Sequence, residues 1–235
     1  MPLCKTSRMT RDLAAEFDAL GPWVTKFSID GKGFGGDYDA ATDSRVEQFH
    51  AAFPDARSVL ELGSFEGGHT ASVARLPGVE RVIALEGRPE NVARAEFVLG
   101  LLDVRNVDVR VADLETFDLE TLGSFDVVFN CGLLYHLPRP WELLARISRV
   151  TRGMYLSTHY SGDGSVDTEQ HGYPGYWYQE FGYADRLSGL APKSFWPTRA
   201  ALLDMLRAEG FSQLDVVFDD PDFPHGPLIN LAARK

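Results

Sequence analysis

Residues 59–70, with the sequence VLELGSFEGGHT, constrain the fold more than any other segment of the chain. A short apolar run is followed at once by Gly63 and Gly67 and then by residues that favour a helix. Glycine has no Cβ, so a turn built with it lets a ligand lie directly against the backbone. A strand, a glycine turn and a helix in this order are typical of α/β sheets that bind a ligand at the carboxyl edge of their strands.

Short apolar runs alternate with helical patterns from Arg57 onward, which predicts an α/β fold built on an open sheet. Strands are expected at 58–62, 81–85, 107–112, 126–130, 154–158, 214–218 and 228–232. Helices are expected to begin near Gly68, Pro89, Pro140 and Pro197, and further helices to cover 9–20 and 44–53. Proline suits a helix start because the first N–H groups of a helix have no intrahelical partner.

Polar side chains stand at the carboxyl ends of the first four predicted strands. Glu61 ends the first, and Glu86 ends the second, where a carboxylate can accept hydrogen bonds from a ribose diol. Asp113 follows the third, in a place suited to an adenine amino group, and the fourth runs into Asn130 and Cys131. Because parallel strands end at one edge of a sheet, these groups are expected to surround one ligand.

The order and spacing of these strand ends resembles the class I S-adenosylmethionine-dependent methyltransferases over residues 55–235. The resemblance implies a Rossmann-like, seven-stranded sheet with helices on both faces and an antiparallel last strand. It also implies S-adenosylmethionine as the cofactor. The cofactor-binding residues that it implies are Glu61, Gly63, Gly67, Glu86, Asp113, Asn130 and Cys131. Phe65 departs from the pattern, since many members have glycine at this position of the turn.

A structural αβ corner and a nicotinamide site are the alternatives for the same turn. A dinucleotide fingerprint needs G-x-G-x-x-G between a strand and a helix. The turn after the first strand reads GSFEGG and lacks the second glycine, while residues 31–36, GKGFGG, match the expression but precede no helical pattern. The S-adenosylmethionine interpretation is therefore favoured.

Residues 132–144 (GLLYHLPRPWELL) and 194–211 (SFWPTRAALLDMLRAEGF) resemble a narrower branch, which includes the wobble-uridine tRNA methyltransferases and carboxymethyltransferases. That branch carries a basic tRNA-binding region. This chain has 23 basic and 34 acidic side chains, a net charge of −11, and its basic residues are scattered. Because phosphate contacts need local positive charge, the acceptor is predicted to be a small molecule and not nucleic acid. A tRNA-modifying enzyme and a non-catalytic S-adenosylmethionine-binding protein remain the alternatives.

The chain is expected to form a single domain over 1–235, with two additions to the sheet. Residues 1–55 predict a helical extension, in which the irregular, glycine-rich segment 26–40 is either a lid or an ordered surface turn. Residues 160–193 predict an inserted, aromatic-rich cap. Aromatic rings with a few polar groups suit a small-molecule pocket, although they also suit a small core of the cap itself. The candidate substrate-binding residues are Tyr38, Tyr160, His171, Tyr176, Trp177 and Tyr178.

Two histidines, His136 and His159, follow the fourth and fifth predicted strands and are the candidate catalytic bases. A base is needed only when the acceptor must lose a proton, so oxygen or nitrogen acceptors are favoured. For His136 a packing role in its turn is an equal alternative. No cluster of carboxylates and histidines has metal-ligand spacing, so no metal is expected.

The remaining sequence features indicate the cellular compartment in which the protein works. No apolar run approaches the roughly 18 residues of a membrane span, and residues 1–17 lack the apolar centre of a secretory signal. Cys4 and Cys131 cannot build a disulfide framework. A cytoplasmic location is therefore expected, while the oligomeric state is not indicated.

Overall fold

The computed structural model describes residues 12–235. In this range the helices are α1 Leu13–Leu20, α2 Ser44–Ala52, α3 Gly68–Val73, α4 Pro89–Leu101, α5 Pro140–Val150 and α6 Arg199–Ala208. The strands are β1 Lys26–Ile29, β2 Lys32–Gly35, β3 Ser58–Leu62, β4 Arg81–Glu86, β5 Val107–Val111, β6 Val127–Cys131, β7 Gly153–His159, β8 Thr168–Gln170, β9 Tyr173–Gln179, β10 Lys193–Pro197, β11 Gln213–Asp220 and β12 Leu228–Arg234.

The central sheet has seven strands in the order β11-β12-β7-β6-β3-β4-β5. Strands β3 to β7 pair in parallel, whereas β12 is antiparallel to both of its neighbours. The predicted Rossmann-like methyltransferase sheet with an antiparallel last strand is therefore confirmed. The chain leaves β3 towards β4 on one side and later returns to β6 on the other, which creates the crevice where such sheets bind ligands.

Helices cover both faces of this sheet because successive strand residues alternate between the faces. On one face Leu60 and Leu62 of β3 pack with Leu143, Leu144 and Ile147 of α5. On the other face, the buried cluster combines strand residues with side chains of α2 and α3: Val59, Phe129 and Tyr155 with Val46, Phe49 and Val73. The two cores hold the carboxyl ends of β3, β4 and β6 in fixed relative positions.

Two segments differ from their sequence-based expectation. Residues 26–40, expected to be irregular, contain the β1–β2 hairpin, whose two-residue turn is Asp30-Gly31 with φ of +49° and +75°. Strands β8 and β9 of the cap join β10, which directly follows it, in a three-stranded antiparallel sheet, with a similar turn at His171-Gly172. Asp-Gly is a preferred pair for such turns, so the first hairpin carried a local signal.

The predicted helix over 9–20 is confirmed for 13–20, while residues 9–11 lie outside the described part of the chain. No helix within residues 12–235 is long and apolar enough to cross a membrane.

Candidate cofactor and acceptor site

A cavity of about 400 Å³ opens at the carboxyl edge of the sheet, beside the ends of β3, β4 and β6. The N-terminal segment closes one side of it with Val24 and Thr25, and the cap closes another with residues 186–190. The predicted site residues in its wall are Tyr38, Gly63, Glu86, Asp113, Cys131 and His136. Of the strand-end groups that were expected to surround one ligand, Glu86, Asp113 and Cys131 meet at this cavity, whereas Glu61 and Asn130 do not reach its wall.

The turn after β3 keeps a left-handed backbone at three positions. Gly63 has φ +77° and lines the cavity, and Gly67 has φ +83°. Phe65, which replaces the usual glycine, has φ +50°. This conformation is uncommon for a bulky residue and marks a loop whose path is held by its surroundings.

Gly67 is needed for packing. A Cβ at this position would lie 2.9 Å from the Cβ and 3.0 Å from the Cα of Ala95 in α4. The Gly67→Ala variant is expected to lower the free energy of unfolding by about 3 kcal/mol, from left-handed strain and overpacking together. Gly100 lies in α4, and a Cβ built there would have no atom outside the backbone of its own helix within 4 Å. Gly100→Ala is therefore the matched control.

Urea denaturation of the two variants tests this prediction. Gly100→Ala is expected to be neutral or slightly stabilising, because alanine favours a helix interior over glycine. An equally small effect of Gly67→Ala would contradict the close approach of the turn to α4.

Glu86 at the end of β4 holds this turn. Its Oε2 accepts a hydrogen bond from the backbone N–H of Phe65 at 2.9 Å, and its Oε1 accepts one from the N–H of Arg88 at 2.9 Å. Burial raises the pKa of Glu86, although these hydrogen bonds oppose the shift. A carboxylate has about four lone-pair positions, so Glu86 retains acceptor capacity for ligand hydroxyl groups.

Of the other predicted cofactor residues, two line the cavity and two lie outside its wall. Asp113 is exposed at the cavity, where its Oδ1 accepts a hydrogen bond from the N–H of Glu115 at 2.9 Å, and Cys131 is a buried part of the wall. Glu61 and Asn130 are buried, and neither belongs to the wall. Burial raises the pKa of Glu61 to about 7.

A cluster of four polar side chains stands where the N-terminal segment meets α3. The hydroxyl of Tyr38 lies 3.1 Å from Nε2 of His69 and accepts a hydrogen bond from Arg45 at 2.7 Å. Asp43 bonds to all three of these side chains. Burial opposes charge on His69, but Cys131 and Asp43 beside it raise its pKa to about 10. Sequence reasoning had singled out only Tyr38, because the cluster depends on contacts between distant segments.

Glu66 is a second residue that sequence reasoning missed. Its buried carboxylate accepts hydrogen bonds from the N–H of Val24 at 3.0 Å and of Thr25 at 2.7 Å. These bonds fasten the N-terminal segment to the turn after β3. A glutamate inside a glycine turn was the available signal, but its partners lie more than 40 residues away in the chain.

The cap is fastened over the cavity by two charged side chains. Nη2 of the buried Arg88 donates to the carbonyl oxygens of Gly182, Asp185 and Ser188 at 2.8–2.9 Å. The buried Glu180 accepts from the N–H of Gly189 at 2.7 Å and lies 3.0 Å from Nδ1 of His136. His136 therefore lines the cavity of about 400 Å³, hereafter the cofactor cavity, while its Nδ1 contacts Glu180 of the cap.

Most of the predicted substrate-binding aromatic residues pack on other rings of the cap sheet, although Tyr178 is 40% exposed. Tyr178 stacks on Trp196 at 4.8 Å between ring centroids, and Tyr176 contacts the same indole at 5.5 Å. Trp177 packs edge-to-face on Phe195 at 5.6 Å. Successive side chains of β9 alternate between these two contacts, and none of the three lines the cavity of about 400 Å³ or the neighbouring cavity of about 370 Å³, which is described below.

His171 and Tyr160 are likewise outside both cavities. His171 occupies the β8–β9 turn with φ +53° and stacks on Trp141 at 5.3 Å. Tyr160 is buried, and its hydroxyl donates to Asp219 at 2.8 Å. Within residues 12–235, Tyr38 is the one member of the predicted substrate set that lines either of these two cavities.

A second cavity, of about 370 Å³, adjoins the first and shares Arg45, Gly132 and Tyr135 with it. His159 lines this second cavity. Its Nδ1 lies 3.0 Å from the carbonyl oxygen of Gly226 and 3.1 Å from that of Pro227. Carbonyl oxygens only accept, so Nδ1 carries the proton and Nε2 carries the lone pair. Burial lowers the pKa of His159, which keeps the imidazole neutral.

Among residues 12–235, no group of three or more His, Cys, Asp or Glu side chains is placed to hold a metal ion.

Comparison with known proteins identifies the family. A family model described as a methyltransferase domain matches residues 60–154. The N-terminal domain of EvdMO1, whose crystal structure was determined in the presence of SAH (S-adenosylhomocysteine) and D-fucose, is 39% identical, with a TM-score of 0.85. That alignment covers 95% of this chain and 96% of the other. The chain belongs to the class I S-adenosylmethionine-dependent methyltransferases.

Two further solved structures are similar to this methyltransferase. It is 37% identical to full EvdMO1, with a TM-score of 0.76, and the alignment covers 95% of this chain but 47% of that one. The 1,6-didemethyltoxoflavin-N1-methyltransferase of Burkholderia thailandensis, with bound 1,6-didemethyltoxoflavin and S-adenosylhomocysteine, shares the fold at 21% identity and a TM-score of 0.59, over 84% of this chain and 79% of that one. A search of curated proteins found no match. The resemblance to the wobble-uridine tRNA branch receives no support from these relatives.

The cavity of this methyltransferase suits its cofactor, S-adenosylmethionine. Gly132 has φ +79°, and a Cβ there would find no atom closer than Arg45 Nη1 at 4.0 Å, so it would occupy cavity space. The wall thus offers bare backbone at Gly63 and Gly132, with the carboxylate of Glu86 on the adjoining strand. These are the features that a ligand with a ribose diol and an extended tail requires.

Proposed function

We propose that this enzyme transfers the methyl group of S-adenosylmethionine to a hydroxyl oxygen of a small, uncharged, hydroxylated acceptor. The observation that carries the proposal is the neutral His159 in a second cavity that adjoins the cofactor cavity. The EvdMO1 domain, 39% identical and crystallised with SAH and D-fucose, supports an acceptor of the carbohydrate class.

The cofactor would be held by the strand ends. Glu86 is placed to accept hydrogen bonds from the ribose hydroxyls, and Asp113 to accept one from the adenine amino group. Gly63 and Cys131 would border the methionine portion. Glu61, Gly67 and Asn130 do not belong to the wall, so they would contribute indirectly, by shaping the strand ends and the turn. When bound, the cofactor supplies a methyl group on a positively charged sulfur.

The proton of the acceptor hydroxyl would pass to His159. As the acceptor oxygen forms its bond to the methyl carbon, the bond from that carbon to sulfur breaks, and Nε2 takes the hydroxyl proton. The two carbonyl groups that receive the Nδ1–H fix the ring and its tautomer. Alignment of the acceptor with the methyl group supplies much of the remaining acceleration.

His136, the other predicted base, is assigned a positioning role. Its Nδ1 pairs with Glu180, which also binds Ser194 at 2.8 Å and the backbone of Gly189. The imidazole thereby joins the loop after β6 to the cap. It lines the cofactor cavity, but it is absent from the wall of the cavity assigned to the acceptor.

A small molecule is favoured over tRNA because the chain carries a net charge of −11. Among residues 12–235, the one cation in the wall of the second cavity, Arg45, is paired with Asp43. A phosphate backbone needs local positive charge, which this described wall does not offer.

An assay of SAH formation by the purified enzyme tests the proposal. With S-adenosylmethionine and D-fucose we expect SAH and a product that is heavier by one methylene unit, measured by mass spectrometry. SAH release that requires an amine acceptor or tRNA, with hydroxylated sugars inert, would contradict it.

A further inference from the structure

Two buried oxygen atoms of the second cavity's wall residues lack hydrogen-bond partners. Ser157 of β7 and Asn230 of β12 are directly paired across the sheet and are 0% and 4% exposed. Both residues line the cavity. Ser157 Oγ and Asn230 Oδ1 have no partner among the described residues. Burying an unpaired polar group costs about 1–3 kcal/mol, so a ligand that pairs with these atoms gains affinity.

Gln48 of α2 sets the polarity of this part of the wall. Its Oε1 accepts hydrogen bonds from the hydroxyl of Tyr155 at 2.7 Å and from Nδ2 of Asn230 at 3.0 Å. The amide of Asn230 is thereby oriented with its Oδ1 left as an acceptor. The Nε2 of Gln48 remains a donor, and Gln48 also lines the cavity. The wall therefore presents an acceptor, a donor and a hydroxyl that can serve as either.

The charged groups of the same wall are already neutralised. Asp43 and Arg45 pair with each other, and His159 is the neutral imidazole described above. The same wall also has an apolar part, with Phe218 and Phe223 whose ring centroids lie 6.4 Å apart. An uncharged ring with hydroxyl groups on one side and C–H groups on the other matches these surfaces.

We propose that Gln48, Ser157 and Asn230 form a subsite that holds the acceptor through hydroxyl groups other than the one methylated. The subsite takes a neutral carbohydrate ring, whose apolar side rests on Phe218 and Phe223. This inference rests on the proposed function, because His159 lies in the same cavity and receives the proton of the reacting hydroxyl.

Steady-state kinetics with D-fucose tests the subsite. Ser157→Ala removes one neutral hydrogen bond and is expected to raise KM for D-fucose about tenfold, with kcat and the affinity for SAH little changed. Ser212→Ala, at an exposed serine outside both cavities, is the matched control and is expected to behave as wild type. Asn230→Ala, checked for folding by its melting temperature, is the second variant and is expected to raise KM more.

Charged sugars provide an independent arm of the test. D-galacturonate and D-galactosamine are expected to compete with D-fucose at least tenfold more weakly than neutral D-galactose does, because the wall holds no unpaired charge to receive them. Equal competition by all three sugars, or unchanged KM values in both variants, would overturn the subsite. If wild type releases no SAH with D-fucose or any neutral sugar, the proposed function itself fails.

Discussion

Replacing His159 by alanine is expected to lower kcat by about 10²- to 10⁴-fold, the usual contribution of a positioned general base. The reason is the tautomer that the structure imposes, with the proton at Nδ1 bonded to two carbonyl groups and the lone pair at Nε2. SAH affinity is expected to stay near the wild-type value, because His159 does not line the cofactor cavity.

His50→Ala is the matched control for this variant. His50 lies in α2 and lines neither cavity, so its loss is expected to leave kcat unchanged. A turnover number for His159→Ala within a few-fold of wild type would show that the acceptor loses its proton by another route.

The pH profile of the wild-type enzyme gives a second readout of the same group. Burial lowers the pKa of His159 below its ordinary 6.5, so the base is protonated and inactive only in more acidic solution. We therefore expect kcat/KM to fall as the pH is lowered, with a midpoint below pH 6.5. Titration of His159 is expected to cause no change in kcat/KM above pH 7. A midpoint well above 7 would contradict the assignment.

Replacing Glu86 by alanine is expected to weaken the binding of S-adenosylmethionine by about 100-fold. Two hydrogen bonds from ribose hydroxyls to a carboxylate are together worth about 3 kcal/mol, and tenfold in affinity corresponds to 1.4 kcal/mol. The loss is reinforced because Glu86 also receives the N–H groups of Phe65 and Arg88, which shape the turn. Glu86→Gln keeps an acceptor and is expected to be intermediate.

Calorimetric titration measures this effect, with Glu96→Ala as the control. Glu96 is exposed on α4 and lines neither cavity, so its removal tests the loss of one negative charge alone. Equal dissociation constants for Glu86→Ala and Glu96→Ala would remove Glu86 from the cofactor site.

Local patterns predicted several residues that line the first cavity, because these residues stand at strand ends. Glu86 and Asp113 each follow a recognisable apolar run, and the glycine turn at Gly63 lies next to another. Parallel pairing then brings the three together without further information. The same reasoning placed His159, which ends β7 and falls at the same edge of the sheet.

The second cavity could not be predicted from local patterns, because its wall depends on long-range contacts. Asn230 and Gln48 are 182 residues apart, and only the pairing of β12 with β7 brings Asn230 beside Ser157. The aromatic residues of the cap drew attention by their density. The rings of β9, however, pack on Trp196 and Phe195.

The position of the transferred methyl group distinguishes a hydroxyl acceptor from every other acceptor. The enzyme is incubated with D-fucose and S-adenosylmethionine that carries a carbon-13 label in its methyl group, and the product is examined by NMR spectroscopy. We expect one labelled methyl group attached to a sugar oxygen, formed by wild type and almost absent with His159→Ala. A label attached to nitrogen or carbon, or recovered only in tRNA, would contradict it.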